Sequence, residues 1–285
     1  MFKNETAVCY YCGSDDSSFF DSENGYNLFK CSGCGLLYVS PIPDEKQIST
    51  SSKTGLHSGD DILDVTGSFK VLQVEVFKDR IRDLYGSSLN KLYGSLWLDI
   101  GCGHGEFLKA LESFTNGEIK GTGCEPNEAK VKSAKSKGLN VESFNLEKHH
   151  FEYDYVSLLN VYSHLPNPVV QLEKWRRFLK IGGELLIETG DIGGLTKHTI
   201  TKPYFLPDHL SFATKEIVCG ILEKLGFKIL DVKMYRQQTI PELSLRMFLY
   251  EIKQVLIGKN NLKSIMKYRR KNANRDMWIK AVRIK

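Results

Sequence analysis

The sequence lacks the long hydrophobic runs that a membrane span requires. None of its apolar stretches approaches the roughly 18 consecutive residues needed to cross a bilayer, so we expect no membrane span. The first residues, MFKNETAVCYYCG, also lack the basic region and apolar stretch of a secretory signal, so we expect a cytoplasmic protein. Because disulfides belong mainly to oxidising compartments, the seven cysteines are expected to be metal ligands or free thiols.

Two signatures of phosphate binding are also missing from the glycine-rich stretch LDIGCGHGEF, residues 98–107. The stretch follows an apolar run and precedes an amphipathic one, which predicts a strand, a tight turn and a helix. A nucleoside triphosphate loop would end in Gly-Lys-Ser or Gly-Lys-Thr, and this stretch does not. A dinucleotide fingerprint would need glycine at position 106, where Glu106 would repel a pyrophosphate.

The positive charge of the chain is unevenly distributed. The formal net charge is +5, yet residues 253–285 alone carry 11 Lys or Arg against one acid. The rest of the chain is therefore mildly acidic. A basic segment on an acidic body is suited to an anionic partner, and a solvated helix face is the alternative interpretation.

Four cysteines near the start have the spacing of a zinc site. Two Cys-x-x-Cys pairs are 18 residues apart, and a glycine follows each pair. Two residues between thiolates let both sulfurs reach one tetrahedral ion, and four thiolates leave no open position for catalysis. We therefore predict a structural Zn²⁺ site in a zinc ribbon, with two disulfides as the alternative. The predicted ligands are Cys9, Cys12, Cys31 and Cys34.

Composition divides the chain into three parts. We predict a zinc ribbon over 1–42, with a hairpin turn at Asn24-Gly25, and a linker or flexible loop over 43–68 because Ser, Thr, Gly, Pro and Asp dominate there. The main domain is expected over 69–285. Within it, 237–274 is predicted as a helical insertion before a last antiparallel strand.

The glycine stretch suits a ligand with a positive amino group and no phosphate. Glycines let the backbone approach closely, while Asp99 can receive an ammonium directly or through water. Glu125 lies twenty residues beyond the turn at the tip of the next strand, where a carboxylate can accept both hydroxyls of a ribose. S-adenosylmethionine has these properties, and a tight turn without a ligand is the alternative. The predicted glycines are Gly101, Gly103 and Gly105.

Four motifs in order resemble one enzyme family. WLDIGCGHGEFLKAL, GTGCEPN, YDYVSLLNVYSHLPNP and LKIGGELLIETGD resemble the class I S-adenosylmethionine-dependent methyltransferases over roughly residues 90–235. The resemblance implies an α/β fold, with a doubly wound, mainly parallel, seven-stranded sheet. It also implies that Asn145 binds the adenine amino group while Phe144 or Leu146 packs on the ring, and that Asn160 and His164 lie near the methionine end. The alternatives are that Asn145 is a turn residue and His164 only holds its loop.

The acceptor is expected to bind in the loop after the fifth strand of that sheet. This loop contains PYFLPDHLSFAT, which looks like the family's histidine-containing stretch. Methyl transfer to a hydroxyl requires a proton acceptor, and a histidine suits that task near neutral pH. We therefore predict His209 as general base, with Tyr204 or Asp208 orienting it or the acceptor. The alternative is that His209 packs over the cofactor as a lid residue.

A ribbon joined to this domain resembles zinc-binding methyltransferases that act on sugars, including nucleotide-linked sugars. Because the further C-terminal domain of their carbon-methylating members does not follow here, we expect a hydroxyl acceptor on a sugar, nucleotide-sugar or glycan precursor. An RNA methyltransferase using the basic segment is the alternative. Against it, the ribbon is acidic and an Asn-Pro-Pro-Tyr signature is missing. A third reading is a non-catalytic member that binds only the cofactor, because Ser163 stands where relatives commonly have glutamate.

The helical insertion and the remaining cysteines complete the predictions. The insertion is expected to cover the active site, form a homodimer contact or bind an anionic acceptor, with packing of its apolar face on the core as the alternative. For the last role the basic residues are Lys267, Arg269 and Arg270. The remaining cysteines, Cys102, Cys124 and Cys219, lie in core-like contexts and are interpreted as buried packing residues.

Overall fold

The computed structural model describes most of the chain. The described residues are 8–149, 152–197, 200, 202–236, 245–257 and 274–285. Within these ranges no helix combines the length and apolar character needed to cross a membrane.

The N-terminal part forms the predicted hairpin. Strands β1 and β2 pair antiparallel, and β2 also pairs antiparallel with β3. The turn between the first two strands uses left-handed backbone at Asn24 (φ 52°) and Gly25 (φ 79°), as the Asn-Gly pair predicts. The strands are β1 (Ser17–Glu23), β2 (Tyr26–Cys31) and β3 (Leu37–Val39).

The segment predicted as a linker or flexible loop, 43–68, is instead largely structured. The carboxylate of Asp44 accepts a hydrogen bond from the Gln47 N–H at 2.8 Å, and Gly55 ends the helix in left-handed backbone. These caps stabilise a helix in a stretch whose polar composition hides it. The elements are α1 (Glu45–Thr54) and a short hairpin of β4 (Leu56–His57) and β5 (Leu63–Asp64).

The rest of the chain builds the predicted α/β domain around a seven-stranded sheet of order β12-β13-β10-β9-β6-β7-β8. Strands β8, β7, β6, β9 and β10 lie side by side and run parallel to one another. Strand β13 runs antiparallel to both of its neighbours, β10 and β12. The elements are α2 (Val71–Tyr85), β6 (Leu96–Ile100), α3 (Glu106–Thr115), β7 (Lys120–Glu125), α4 (Glu128–Lys135), β8 (Val141–Ser143), β9 (Tyr153–Leu159), α5 (Pro168–Trp175), β10 (Leu179–Gly190), β11 (Ser211–Phe212), α6 (Lys215–Lys224), β12 (Phe227–Arg236), α7 (Leu245–Leu256) and β13 (Asn274–Arg283).

Helices cover both faces of this sheet, and its core is aromatic. The rings of Trp97 and Tyr155 stack at 4.7 Å on neighbouring strands, and Phe107 from α3 meets Trp97 edge-on at 5.5 Å. Side-chain oxygens begin three helices, at Asn127 for α4, Asn167 for α5 and Thr214 for α6. The predicted fold class is therefore confirmed.

The ribbon and the α/β domain share a sheet. Strand β11, which lies in the loop region after β10, pairs antiparallel with β3 of the ribbon, so Ser211 lies opposite Tyr38. The predicted insertion is helical over α7, and β13 is the predicted last strand. The basic residues Lys267, Arg269 and Arg270 lie outside the described residues.

Candidate functional site

The glycine loop after β6 has the backbone that its sequence predicts. Gly101 (φ 73°), Gly103 (φ 58°) and Gly105 (φ 89°) all adopt the left-handed region. A Cβ at Gly101 would lie 2.5 Å from Val161 Cγ2, so the loop after β9 packs directly on the glycine loop. A Cβ at Gly103 would meet no atom of the described residues within 4 Å. The middle of the loop therefore borders open space, as a ligand site requires.

Glu125 lies buried at the end of β7 beside that loop. Its Oε2 accepts a hydrogen bond from the Gly103 N–H at 2.9 Å, and its Oε1 accepts one from the Asn127 N–H at 2.9 Å. Because each carboxylate oxygen has a second lone pair, both oxygens can still accept a ligand hydroxyl. The residue thus links the glycine loop to the start of α4.

Asp99 is buried one strand away and is held by an internal network. Ser157 donates its hydroxyl to Asp99 Oδ1 at 2.5 Å, and Trp97 Nε1 donates to the Ser157 oxygen at 2.8 Å. Burial, followed by the negative charge of Glu125, raises the pKa of Asp99 to about 7. A cation bound near Asp99 would therefore shift this carboxyl toward its ionised form.

Two buried polar atoms beside the glycine loop lack partners among the described residues. They are His104 Nδ1 and Asn127 Nδ2. The same two side chains meet the segment predicted as a linker: His104 Nε2 lies 2.9 Å from the Thr66 carbonyl oxygen, and a Cβ at Gly55 would lie 2.7 Å from Asn127 Nδ2. Residues 55–66 therefore cover this edge of the sheet, although no spacing in the sequence indicates it.

The residues expected around an adenine lie after β8, next to Glu125. The Phe144 N–H donates to the Glu125 carbonyl oxygen at 3.0 Å, which ties this loop to the tip of β7. Leu146 is buried, whereas Asn145 is exposed. The ring of Phe144 meets Trp175 edge-on at 6.1 Å. The structure thus brings these residues to the same edge as Asp99 and the glycine loop.

The loop after β9 contributes the next predicted residues. Asn160 follows the strand with left-handed backbone (φ 54°), and its N–H donates to the Glu188 carbonyl oxygen at 3.1 Å. Asn160 precedes Val161, the residue that packs on Gly101. The chain then forms a short 3₁₀ turn that ends at His164.

His164 belongs to a cluster of three histidines around Asp208. Asp208 Oδ1 lies 3.1 Å from both His164 Nδ1 and His57 Nε2. The rings of His164 and His209 approach to 4.7 Å between centroids. Donor atoms of His164, Asp208 and His209 all lie within 4.8 Å of one another, so the same set could also contact a cation. The sequence predicted the last three residues but not His57, which lies in the supposed linker.

The members of this cluster differ in how strongly they bind a proton. Burial, followed by the positive charge of His164, lowers the pKa of His209 to about 4. Burial lowers the pKa of His164, but the charge and hydrogen bonds of Asp208 outweigh it and leave that pKa raised. Burial alone would raise the pKa of Asp208. The charges and hydrogen bonds of the neighbouring histidines outweigh burial and hold that pKa below its usual range. At neutral pH, Asp208 is therefore ionised and His209 is neutral.

Main-chain groups fix the orientation of two of these rings. His209 Nδ1 lies 3.0 Å from the Tyr204 carbonyl oxygen, and His164 Nδ1 lies 2.8 Å from the Asp208 carbonyl oxygen. A carbonyl oxygen can only accept, so the Nδ1 of each ring carries the proton. In neutral His209 the lone pair is consequently on Nε2.

The side chain of Tyr204, predicted with Asp208 as a residue that orients the base or the acceptor, does not contact the histidine cluster. Its hydroxyl donates to Asp21 of the ribbon at 2.9 Å, because Tyr204 packs into the core between ribbon and loop. The Tyr204 N–H donates to Glu23 Oε2 at 2.8 Å. Only the carbonyl of Tyr204 orients His209. These two ribbon carboxylates were not predicted, since they are about 180 residues away in the chain.

The four predicted metal ligands lie together in the ribbon. Cys9 Sγ is 3.6 Å from Cys34 Sγ, and Cys12 Sγ is 3.5 Å from Cys31 Sγ. No disulfide joins the described cysteines. Sulfur atoms at about 2.3 Å from a tetrahedral ion are about 3.8 Å apart, so the four thiols fit one zinc ion. All four donor atoms lie within 4.8 Å of one another.

Comparisons with known proteins agree with the fold described above. The family model described as a methyltransferase domain matches residues 76–232, more than half of the chain. A search of curated protein sequences found no match.

Solved structures with the same fold are numerous, and three illustrate the likeness. An S-adenosylmethionine-dependent methyltransferase from Archaeoglobus fulgidus is 23% identical over 74% of this chain and 94% of its own, with a TM-score of 0.49. Phosphoethanolamine N-methyltransferase 2 from Haemonchus contortus is 20% identical over 73% of this chain and 52% of its own, with a TM-score of 0.50.

A chain from the Haloferax volcanii complex of the Trm112 methyltransferase activator with a methyltransferase is 16% identical over 74% of this chain and 92% of its own, with a TM-score of 0.50. At these identities the likeness concerns the fold, which has the Rossmann-like methyltransferase topology. With the family match and the sheet order in agreement, the chain belongs to the methyltransferase domain family.

Proposed function

We propose that this chain transfers a methyl group from S-adenosylmethionine to a hydroxyl of a small molecule, namely a sugar, nucleotide-sugar or glycan precursor. The observation that carries this proposal is the neutral His209, whose Nδ1 is held by the Tyr204 carbonyl beside the ionised Asp208. That arrangement suits removal of a proton from a hydroxyl.

The cofactor residues support the proposal because they fit S-adenosylmethionine. Glu125 would accept the ribose hydroxyls, and Asp99 would face the amino group. Asn145 and Leu146 would contact the adenine, while Asn160 and His164 would lie near the methionine end. The open space at Gly103 and the unpartnered polar atoms of His104 and Asn127 leave room and hydrogen-bonding capacity for such a ligand.

The base chemistry follows from the cluster. S-adenosylmethionine, when bound, supplies the methyl group, which moves to a nucleophile placed in line. His209 Nε2 accepts the proton of the attacking hydroxyl. Asp208 stabilises the positive charge that then develops on His209 beside His164. It also holds His57 and His164 in place. Three imidazoles and a carboxylate also provide the donors and acceptors that a polyhydroxylated acceptor needs.

We also propose that the four ribbon thiolates hold a structural Zn²⁺ ion. The sulfur separations support this assignment, and a closed set of four thiolates leaves the ion no open position for substrate. Its role would be to hold the ribbon in the shape that contacts the loop from Tyr204 to His209.

A transfer assay with radiolabelled S-adenosylmethionine tests the proposed acceptor. Nucleotide-sugars and total RNA serve as the two acceptor pools, and we expect label in the sugar pool. Label in RNA that decreases as salt is raised would replace this proposal with the RNA alternative. Cofactor binding without label in any acceptor pool would support the non-catalytic alternative.

Replacement of the base separates catalysis from packing. His209→Gln should lower kcat by about 100-fold or more, because Gln accepts no proton, while cofactor affinity stays the same. The measurements are steady-state kinetics and calorimetric cofactor titration on the same preparation. Nearly unchanged turnover with weaker cofactor binding would instead show that His209 packs over the cofactor.

A further inference from the structure

A second cluster of ligand-type side chains lies where strands β7 and β8 end, next to Glu125 in the chain. Cys124 Sγ is 3.0 Å from His149 Nε2, and the same nitrogen is 2.9 Å from Glu142 Oε1. One atom from each of the three residues lies within 4.8 Å of the others. The sequence interpretation of Cys124 as a packing residue does not include this contact.

The sheet itself brings these residues together. Cys124 in β7 lies opposite Glu142 in β8 in the parallel register, and His149 follows the 3₁₀ turn after β8. Cys124 is fully buried, and the side chain of His149 is only 6% exposed, whereas that of Glu142 is 41% exposed. The cluster is therefore closed on the core side and reachable from solvent on the Glu142 side.

One nitrogen of His149, Nε2, faces both a thiol and a carboxylate. Its Nδ1 is 2.7 Å from the Tyr153 hydroxyl, which leaves Nε2 to meet both a thiol and a carboxylate. A neutral ring with its proton on Nδ1 could accept from the Cys124 thiol but would then turn a lone pair toward Glu142. A ring protonated on Nε2 donates to the carboxylate and leaves the thiol proton without that acceptor. One bound cation would satisfy all three groups at once.

We propose that Cys124, Glu142 and His149 form a binding site for a divalent transition-metal ion of the zinc class. Thiolate, imidazole and carboxylate are the ligands such ions take in proteins. Binding releases the Cys124 thiol proton to solvent, and the two resulting negative charges balance the ion. Tyr153 supports the ring from its other nitrogen, as outer partners of metal-bound histidines do.

The site would act on the cofactor-binding edge through the backbone. The Cys124 carbonyl oxygen accepts the Gly101 N–H at 2.7 Å, and Glu125 is the next residue in the chain. An ion at Cys124 therefore stiffens the strand end that carries the proposed ribose ligand.

Metal counting on the full chain tests this inference. The protein is equilibrated with Co²⁺ at micromolar concentrations, and native mass spectrometry gives the number of ions per chain for wild type and Cys124→Ser. We expect wild type to hold one ion more than the variant. This difference does not depend on how many ions the four ribbon cysteines hold. Cys219→Ser, which changes a half-buried cysteine outside the cluster, should keep the wild-type count.

Two milder variants keep the test decisive if Cys124→Ser does not fold. Glu142→Gln changes a half-exposed side chain and should weaken the additional ion about tenfold or more, and Tyr153→Phe should weaken it about tenfold by removing the support of His149. Circular dichroism checks that each variant is folded. Equal ion counts and affinities in wild type and all folded cluster variants would overturn the proposal and leave a buried thiol–imidazole hydrogen bond.

Discussion

The carboxylate of Glu23 receives the N–H of Tyr204 at 2.8 Å, although the two residues belong to the ribbon and to the loop after β10. Its other oxygen receives the Leu206 N–H at 3.2 Å, and Asn24 Nδ2 donates to the Leu206 carbonyl oxygen at 3.1 Å. The hairpin turn of the ribbon therefore holds the loop that leads to Asp208 and His209. The ribbon acts as a support for the proposed base.

Glu23→Gln should impair turnover without weakening cofactor binding. The amide NH₂ of Gln would face a backbone N–H, so one of the two hydrogen bonds is lost and the loop loosens. We expect kcat to fall about tenfold, as a misplaced base would cause. Steady-state kinetics with calorimetric cofactor titration measures both quantities. Asp16→Asn removes the same charge from an exposed ribbon position and should change neither.

Tyr204→Phe separates the structural role of this residue from a catalytic one. The variant loses the hydroxyl that donates to Asp21 at 2.9 Å but keeps the carbonyl that orients His209. We expect the free energy of unfolding to fall by about 1 to 3 kcal/mol, because a buried carboxylate loses a partner. Denaturant unfolding measures this, and kcat should change far less than in His209→Gln. An equal loss of kcat in Tyr204→Phe and His209→Gln would show that the Tyr204 hydroxyl takes part in catalysis.

The pH dependence of turnover should reflect the buried state of His209. Burial, followed by the charge of His164, lowers the pKa of His209 to about 4, so its neutral form persists well below the pKa of about 6.5 of an ordinary histidine. Because the base works unprotonated, the acid limb of kcat/KM due to this residue should lie near pH 4. A pH–rate profile measures it. A limb at pH 6.5 that disappears in His209→Gln would contradict the shift.

Cofactor affinity should increase with pH around neutrality. Burial, followed by the charge of Glu125, raises the pKa of Asp99 to about 7, so part of the free protein carries a neutral carboxyl there. A cationic amino group favours the ionised form, so binding should release protons and tighten as the pH rises through about 7. Calorimetry in buffers of different ionisation enthalpy measures the release. Asp99→Asn should bind more weakly and release none; equal release in both proteins would assign the proton to another group.

Local patterns in the sequence were sufficient for the framework of the site. Asn127, Asn167 and Thr214 begin helices through their own side-chain oxygens, because capping acts within three residues. Gly101 and the other loop glycines take the left-handed backbone that their spacing implies. The helix Glu45–Thr54 within the segment predicted as a linker was not anticipated, because polar composition does not reveal a capped helix.

The sequence by itself determined the turn of the glycine loop and the two Cys-x-x-Cys pairs, since each depends on residues close together in the chain. Tertiary structure alone decided the contacts between distant segments. These include His57 on Asp208, Glu23 on the loop before His209, and His149 on Cys124. Such pairs carry no spacing signal, because their separation is closed by the packing of whole elements and not by local backbone preference.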